Sequence, residues 1–235
     1  MIDQVEGVNA FEAWQEGAKI LIDKHDVFNL VTTVNDPVYL DPNWFENYNP
    51  ADFMNGIPTL SDVASTIFPY KYLTRGYLRN NLYAKYVATH ERAKKMHKDR
   101  GRRWGTYFDR MIRFGNAPVN QLDRIVDALN NWKNNPRSAL VIHTSSADTD
   151  RPRPLGGPCL QYIELLCPDK DTISMLAVYR NHDFFSKAFG NFIGLGQLMK
   201  FLCEETNRKP GNLVCHSAHA DYQTTKKVFK TYAKL

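Results

Sequence analysis

Residues 172–206, TISMLAVYRNHDFFSKAFGNFIGLGQLMKFLCEET, join a strand-like run to a long apolar one. Residues 172–180 are strand-like, whereas 183–206 form a long, largely apolar run with helical spacing, the mark of a helix enclosed by a core. Further strand-like runs lie on either side: SALVIHT at 138–144, CLQYIELLC at 159–167 and GNLVCHSAH at 211–219. Strands that bury one long helix against them indicate an α+β architecture, a mixed β-sheet packed against that helix with flanking helices.

Outward from this core, residues 9–25 predict a first helix: Asn9 caps it, and Phe11, Trp14, Ala18, Leu21 and Ile22 share one face. Residues 27–34, VFNLVTTV, predict a strand. Residues 60–68, 77–98 and 119–134 predict helices, the last laying Leu122, Ile125, Val126 and Leu129 on the sheet, and a basic helix follows at the end of the chain. Between Asn35 and Thr59, Pro, Asn and Asp alternate with Tyr39, Trp44, Phe45, Tyr48 and Phe53. That aromatic content predicts an ordered loop rather than a linker.

The chain has 235 residues, 43% of them hydrophobic, enough for a substantial core within one domain. Its net charge of +5 favours anionic ligands. Much of the excess sits in two runs, HERAKKMHKDRGRR at 90–103 and TTKKVFKTYAKL at 224–235, which read as solvated faces and argue against a nucleic-acid partner. The four cysteines, at 159, 167, 203 and 215, form no CxxC pair and predict reduced thiols. The acidic start resembles no signal peptide and no apolar run has the length of a membrane span, which together predict a cytoplasmic protein with no membrane partner. His216 and His219, three apart on one strand, face opposite sides and argue against a shared metal.

The chemistry-bearing set begins at GGPCLQYIE (156–164), where Cys159 follows a Gly-Gly-Pro turn. Arg180 ends the next strand, and Asn191 sits on the helix after it. Activating carbon 5 of a pyrimidine calls for a thiolate that adds to carbon 6, a cation that lowers the thiol pKa, donors for the developing oxyanion and a phosphate anchor. Cys159, Arg180 and Asn191 are candidates for the first three, and the Arg180 guanidinium also suits the fourth.

These residues resemble the thymidylate synthase and pyrimidine nucleotide hydroxymethylase superfamily. The shared features are Pro158-Cys159, the register of Arg180, Asp183 and Asn191, the stretch NQLDRIVDALNNWKNNPRSALVI (120–142) and the stretch PGNLVCHSAHADY (210–222). RWGTYF, with Trp104 and Gly105, stands where the family has Tyr-Gly. The resemblance covers roughly 102–222, a recognisable core preceded by a divergent portion at 1–101, and implies a single thymidylate synthase-like domain that forms a homodimer through its sheet. It further implies that Cys159 attacks carbon 6, Arg180 holds the phosphate, Asn191 reads the base edge, Asp183 contacts the folate and His219 meets the sugar. Trp104 and Tyr222 would add substrate contacts, and Asp62 is the candidate for the family's water-organising acid. The implied co-substrate is 5,10-methylenetetrahydrofolate and the implied substrate a pyrimidine nucleotide, with asparagine at the base edge favouring uracil.

The departures are equally specific. Ala139 and Leu140 stand in place of the family's Arg-Arg pair, leaving Arg137, Arg151 and Arg153 as alternative anchors. Leu160 replaces a histidine, Asp221 stands at a tyrosine place, and the chain ends soon after Tyr222, which predicts hydration of the intermediate and a hydroxymethylated product slightly ahead of a methylated one. Taken alone, Cys159 is a small buried hydrophobe, Arg180 an ion-pair partner and Asp183 a helix cap. Cys167, Cys203 and Cys215 read as core. Competing functions are a non-catalytic nucleotide-binding protein with the same fold, and folate-independent thiolate chemistry on an unusual pyrimidine.

Overall fold

Period-two burial along the strands and all-round burial of one helix organise the computed structural model, which describes residues 2–96, 105–116, 118–150 and 157–235. In chain order the elements are β1 (Asp3–Gly7), α1 (Ala10–Lys24), β2 (Val27–Val34), α2 (Trp44–Asn47), α3 (Leu60–Ile67), α4 (Lys71–Thr74), α5 (Arg79–Met96), α6 (Tyr107–Ile112) and α7 (Gln121–Asn131). They continue with β3 (Leu140–His143), β4 (Leu160–Leu166), β5 (Thr172–Tyr179), β6 (His182–Asp183), α8 (Ala188–Thr206), β7 (Lys209–Asp221) and α9 (Lys226–Ala233).

Among the described residues the strands form one mixed sheet in the order β1-β2-β7-β5-β4-β3, with β6 also on β7. β1 runs parallel to β2, and both β5 and β6 run parallel to β7; the remaining pairs are antiparallel. The expected α+β class is therefore observed. One sheet face buries Leu30 and Val34 of β2, Leu213, Cys215 and Ser217 of β7, Met175, Ala177 and Tyr179 of β5, and Ile163 and Leu165 of β4. Their alternate neighbours, among them Val31, Val214, Leu176 and Val178, stay partly exposed on the other face.

α8 lies on the buried face and is itself enclosed from Ala188 to Leu195. On its far side α3 comes close because α8 carries glycines there: a Cβ on Gly190 would stand 2.7 Å from the Val63 side chain, and one on Gly194 2.7 Å from the Ala64 carbonyl oxygen. α1 closes the N-terminal end of α8. Trp14 stacks on Phe189 at 5.2 Å, and its Nε1 donates to the Phe184 carbonyl at 2.7 Å. Asn9 caps α1 as expected, its side chain accepting from the N–H groups of Phe11 and Glu12. The loop 35–59 packs through Trp44 and Tyr48 against Phe11 and Phe189.

Several elements differ from the sequence reading, among them the short helices α2, α4 and α6, which it does not predict. The acidic start forms β1, an edge strand whose Gln4 and Glu6 face outward, so it shows little apolar periodicity. The long helix begins at Ala188, not at Asp183: residues 182–183 pair with β7 and a turn follows. Asp183 does not cap α8. Lys187 occupies the cap position and makes no side-chain cap bond.

Candidate active site

The break between β5 and α8 builds the site. β5 ends at Tyr179, and the chain steps through Arg180 and Asn181 before β6 resumes pairing on β7 in the same register. Arg180 thereby lies beside the start of β4: its N–H donates to the Cys159 carbonyl at 2.9 Å, and its Nε donates to the Pro158 carbonyl at 3.0 Å. Gly157, at φ +86°, makes the turn that delivers Cys159 to that edge. The Tyr107 hydroxyl, from α6, accepts from the N–H groups of both Cys159 and Leu160, at 3.1 and 3.2 Å, and pins the strand start. Burial pushes the Tyr107 phenol up to about 12, so it remains protonated.

Cys159 opens on a cavity of about 510 Å³, within the range of ligand pockets. Asn181, His182, Asp183, Ser186 and Lys187 line one side with Asn191, while Ile57, Pro58, Val63 and Thr66 of the N-terminal portion form the other. Asp183 is the carboxylate among the lining residues. It accepts from the Phe185 N–H at 3.0 Å, from the Ser186 hydroxyl and, at 3.4 Å, from the Gln223 N–H, so it shapes the turn ahead of α8. Asn191 is buried and donates from Nδ2 to His182 Nε2 at 3.0 Å; His182 Nδ1 meets Ser217 Oγ at 2.9 Å. Burial lowers the His182 imidazole to about 3 and keeps it neutral.

The Cys159 thiol differs from its expected state. Burial raises its pKa above the ordinary value, and this outweighs the lowering by Arg180; Asp221 and Asp183 also raise it, and Lys187 lowers it. The thiol is half-buried and protonated at neutral pH, not held as a thiolate by the guanidinium.

The structure thus brings Cys159, Asp183 and Asn191 to one cavity, sets Arg180 beside Cys159 but outside the lining, and leaves others elsewhere. Asp62 is exposed and completes a capping box with Thr59, accepting from the Thr59 N–H at 3.3 Å; its carboxylate serves the start of α3 and is absent from the cavity lining. His219 sits behind Asn181, with its ring nitrogens on Asn181 Oδ1 and Asp26 Oδ2, and does not line the cavity. Tyr222 is buried in stacking contact with Phe229 and is likewise absent from the lining. Trp104, Arg151 and Arg153 lie outside the described residues. Arg137 precedes β3, and its carbonyl accepts from Cys167 at the far end of β4. Eight residues of strand, about 27 Å, separate that end from Cys159, so Arg137 does not reach the cavity of its own chain.

Sequence reasoning passed over Tyr107, His182, Ser186 and Lys187. His182 was legible as a polar residue between Arg180 and Asp183 in the motif, but its burial depends on β6 pairing with β7. Among the described residues no group of histidines, cysteines and carboxylates could hold a metal ion, and no helix is long and apolar enough to cross a membrane.

No family model matches the chain. Over 184 residues, 76% of this chain and 79% of the relative, it is 24% identical to a protein of Methanococcoides burtonii named "Putative thymidylate synthase". A Methanothermobacter marburgensis protein of the same name is 27% identical over 131 residues, 53% of this chain and 56% of that relative. These similarities, with a mixed sheet and helices compatible with that fold, support a thymidylate synthase-like relationship for the chain.

Proposed function

We propose that the chain transfers a one-carbon unit from methylenetetrahydrofolate to carbon 5 of a pyrimidine nucleotide, uridylate-type favoured, through a covalent bond between Cys159 and carbon 6. The observation that carries this reading is that Cys159 and Asn191, 32 positions apart in sequence, line one cavity of nucleotide size beside the Arg180 guanidinium. A sulfur and a base-reading amide lining the same cavity are what addition to a ring requires.

Arg180 and Lys187 favour loss of the thiol proton against the burial that opposes it. As the sulfur–carbon 6 bond forms, the carbon 5–carbon 6 electron pair moves toward the ring carbonyl, where an Asn191 N–H can donate to the growing negative charge. Carbon 5 then becomes the nucleophile; its proton leaves to solvent, and breaking the sulfur–carbon 6 bond returns the thiol. Asp183 has acceptor capacity left on Oδ2, which one hydroxyl occupies, and so fits the N–H groups of a pterin. Methylenetetrahydrofolate, held there, supplies the one-carbon unit. The partly exposed outer sheet face, with Val31, Leu176, Val178 and Val214, is where a second copy would pack in the proposed homodimer. The relatives' name favours a methylated product, for which the tetrahydrofolate would also supply a hydride and leave as dihydrofolate; a hydroxymethylated product would take water instead, and product mass separates the two.

Incubation with 5-fluorodeoxyuridylate and methylenetetrahydrofolate should give a covalent adduct by intact mass that Cys159→Ala abolishes. Absence of the adduct in the wild-type chain would refute the reading. The raised thiol pKa favours one second reading, a non-catalytic nucleotide-binding protein of the same fold. Tritium release from carbon 5-labelled nucleotide eliminates it; tight binding without release supports it.

A further inference from the structure

His182 is the least conspicuous member of the cavity wall and the most constrained. It is 1% exposed, and its imidazole lies flat on the Tyr179 ring, 4.0 Å between centroids and 3° between planes. Phe184 and Phe192 meet it edge-on at 5.4 and 5.7 Å. The ring therefore has one orientation, with Nδ1 on Ser217 Oγ and Nε2 on Asn191 Nδ2.

With Asn191 Nδ2 placed on His182 Nε2, the proton positions follow. An amide nitrogen only donates, so Nε2 must be the bare, accepting nitrogen. A neutral imidazole carries one proton, which then resides on Nδ1 and is donated to Ser217 Oγ. Asn191 is on the adjoining turn of α8, also buried, with its Nδ2 engaged and its carbonyl oxygen directed elsewhere. An unconstrained asparagine can rotate its amide by half a turn and offer either edge to a ligand.

The geometry points to His182 as a positioning residue for base recognition: it holds the Asn191 carboxamide by its nitrogen, so that Oδ1 and the second N–H face the cavity. That pair matches a ring N–H beside a carbonyl, the edge of a uracil-type base, and opposes the bare ring nitrogen and amino group of cytosine. This inference rests on the proposed function and adds to it a residue that sets the choice of base without touching it.

Two measurements test it together. In the 15N-histidine spectrum, the signals lost in His182→Gln should show a protonated Nδ1 and a bare Nε2 from pH 5 to 8; a protonated Nε2, or an imidazole that titrates within that range, would overturn the inference. In calorimetric titrations with deoxyuridylate and deoxycytidylate, His182→Phe, which keeps the stacked ring but neither nitrogen, should lose at least tenfold of the preference for deoxyuridylate. His182→Gln, with one acceptor and one donor, should keep most of it. Equal weakening of both nucleotides in His182→Phe would assign His182 a merely structural role and overturn the inference. If the wild-type chain binds neither nucleotide, the proposed function fails, and the nitrogen signals alone decide whether His182 holds Asn191 as described.

Discussion

Asp183→Ala removes the acceptor that shapes the turn between β6 and α8, and the cost can be worked from its bonds. The carboxylate accepts from the Phe185 N–H at 3.0 Å and from the Ser186 hydroxyl; the Gln223 N–H, at 3.4 Å, counts for little. Hydrogen bonds to a charged acceptor contribute roughly 1.5–3 kcal/mol each, and a buried N–H left unmet costs a similar amount. The Ser186 hydroxyl can rotate to another acceptor, whereas the Phe185 N–H cannot. Relief of repulsion with Asp221, the β7 residue paired with Asp183, offsets part of the loss. The net is about 2–4 kcal/mol. For a chain of this size that lowers Tm by roughly 4–16 °C. Asp183→Asn keeps an oxygen for the Phe185 N–H and should lose less than half as much. Urea denaturation followed by circular dichroism measures both. If Asp183 also holds the folate, Asp183→Asn should raise the apparent folate KM at least tenfold while leaving nucleotide affinity within about threefold. A loss below 0.5 kcal/mol for Asp183→Ala, in the same denaturation, would refute the turn-holding argument, whatever the folate result.

Because burial raises the Cys159 thiol above its ordinary value, its alkylation rate should rise about tenfold per pH unit from pH 6.5 to 8.5 with no plateau; a plateau below pH 7.5 would show a preformed thiolate. His182 has a folded-state pKa of about 3, below the ordinary 6.5, so the unfolded chain binds its proton first and the stability it contributes above pH 6.5 is lost as pH falls toward 3. Between pH 7 and 5 this amounts to about 2 kcal/mol, and His182→Gln should lose that much less than wild type in paired urea titrations; equal losses would contradict the burial. Gly190→Val places side-chain atoms where α3 already stands, 2.7 Å from Val63, and should cost about 1–3 kcal/mol. The same variant should weaken nucleotide binding, since Val63 lines the cavity; unchanged affinity on calorimetry would show that α3 does not shape the site.

The strands and the enclosed helix were legible because each obeys a local rule. The strand-like run 172–180 follows from burial on one sheet face, the all-round apolarity of 188–206 from enclosure between the sheet and α3, and Asn9 caps α1 through bonds within four residues. β1 was not legible, since an edge strand with outward Gln4 and Glu6 has little apolar periodicity. The start of α8 was not legible either, because 182–183 are drawn into strand pairing by β7, which comes later in the chain.

Of the site, the sequence by itself determined the order and spacing of Cys159, Arg180, Asp183 and Asn191, because their register is covalent and the strand-to-helix crossover that holds them is local. Only the tertiary structure decided the rest. It assigned Asp62 to a capping box and Tyr222 to the core, brought Ile57, Pro58 and Val63 to the cavity that the thiol lines, and set His182 between Ser217 and Asn191. It also set the protonation of Cys159, since a pKa depends on how much water and charge surround the sulfur after folding, which no linear spacing encodes.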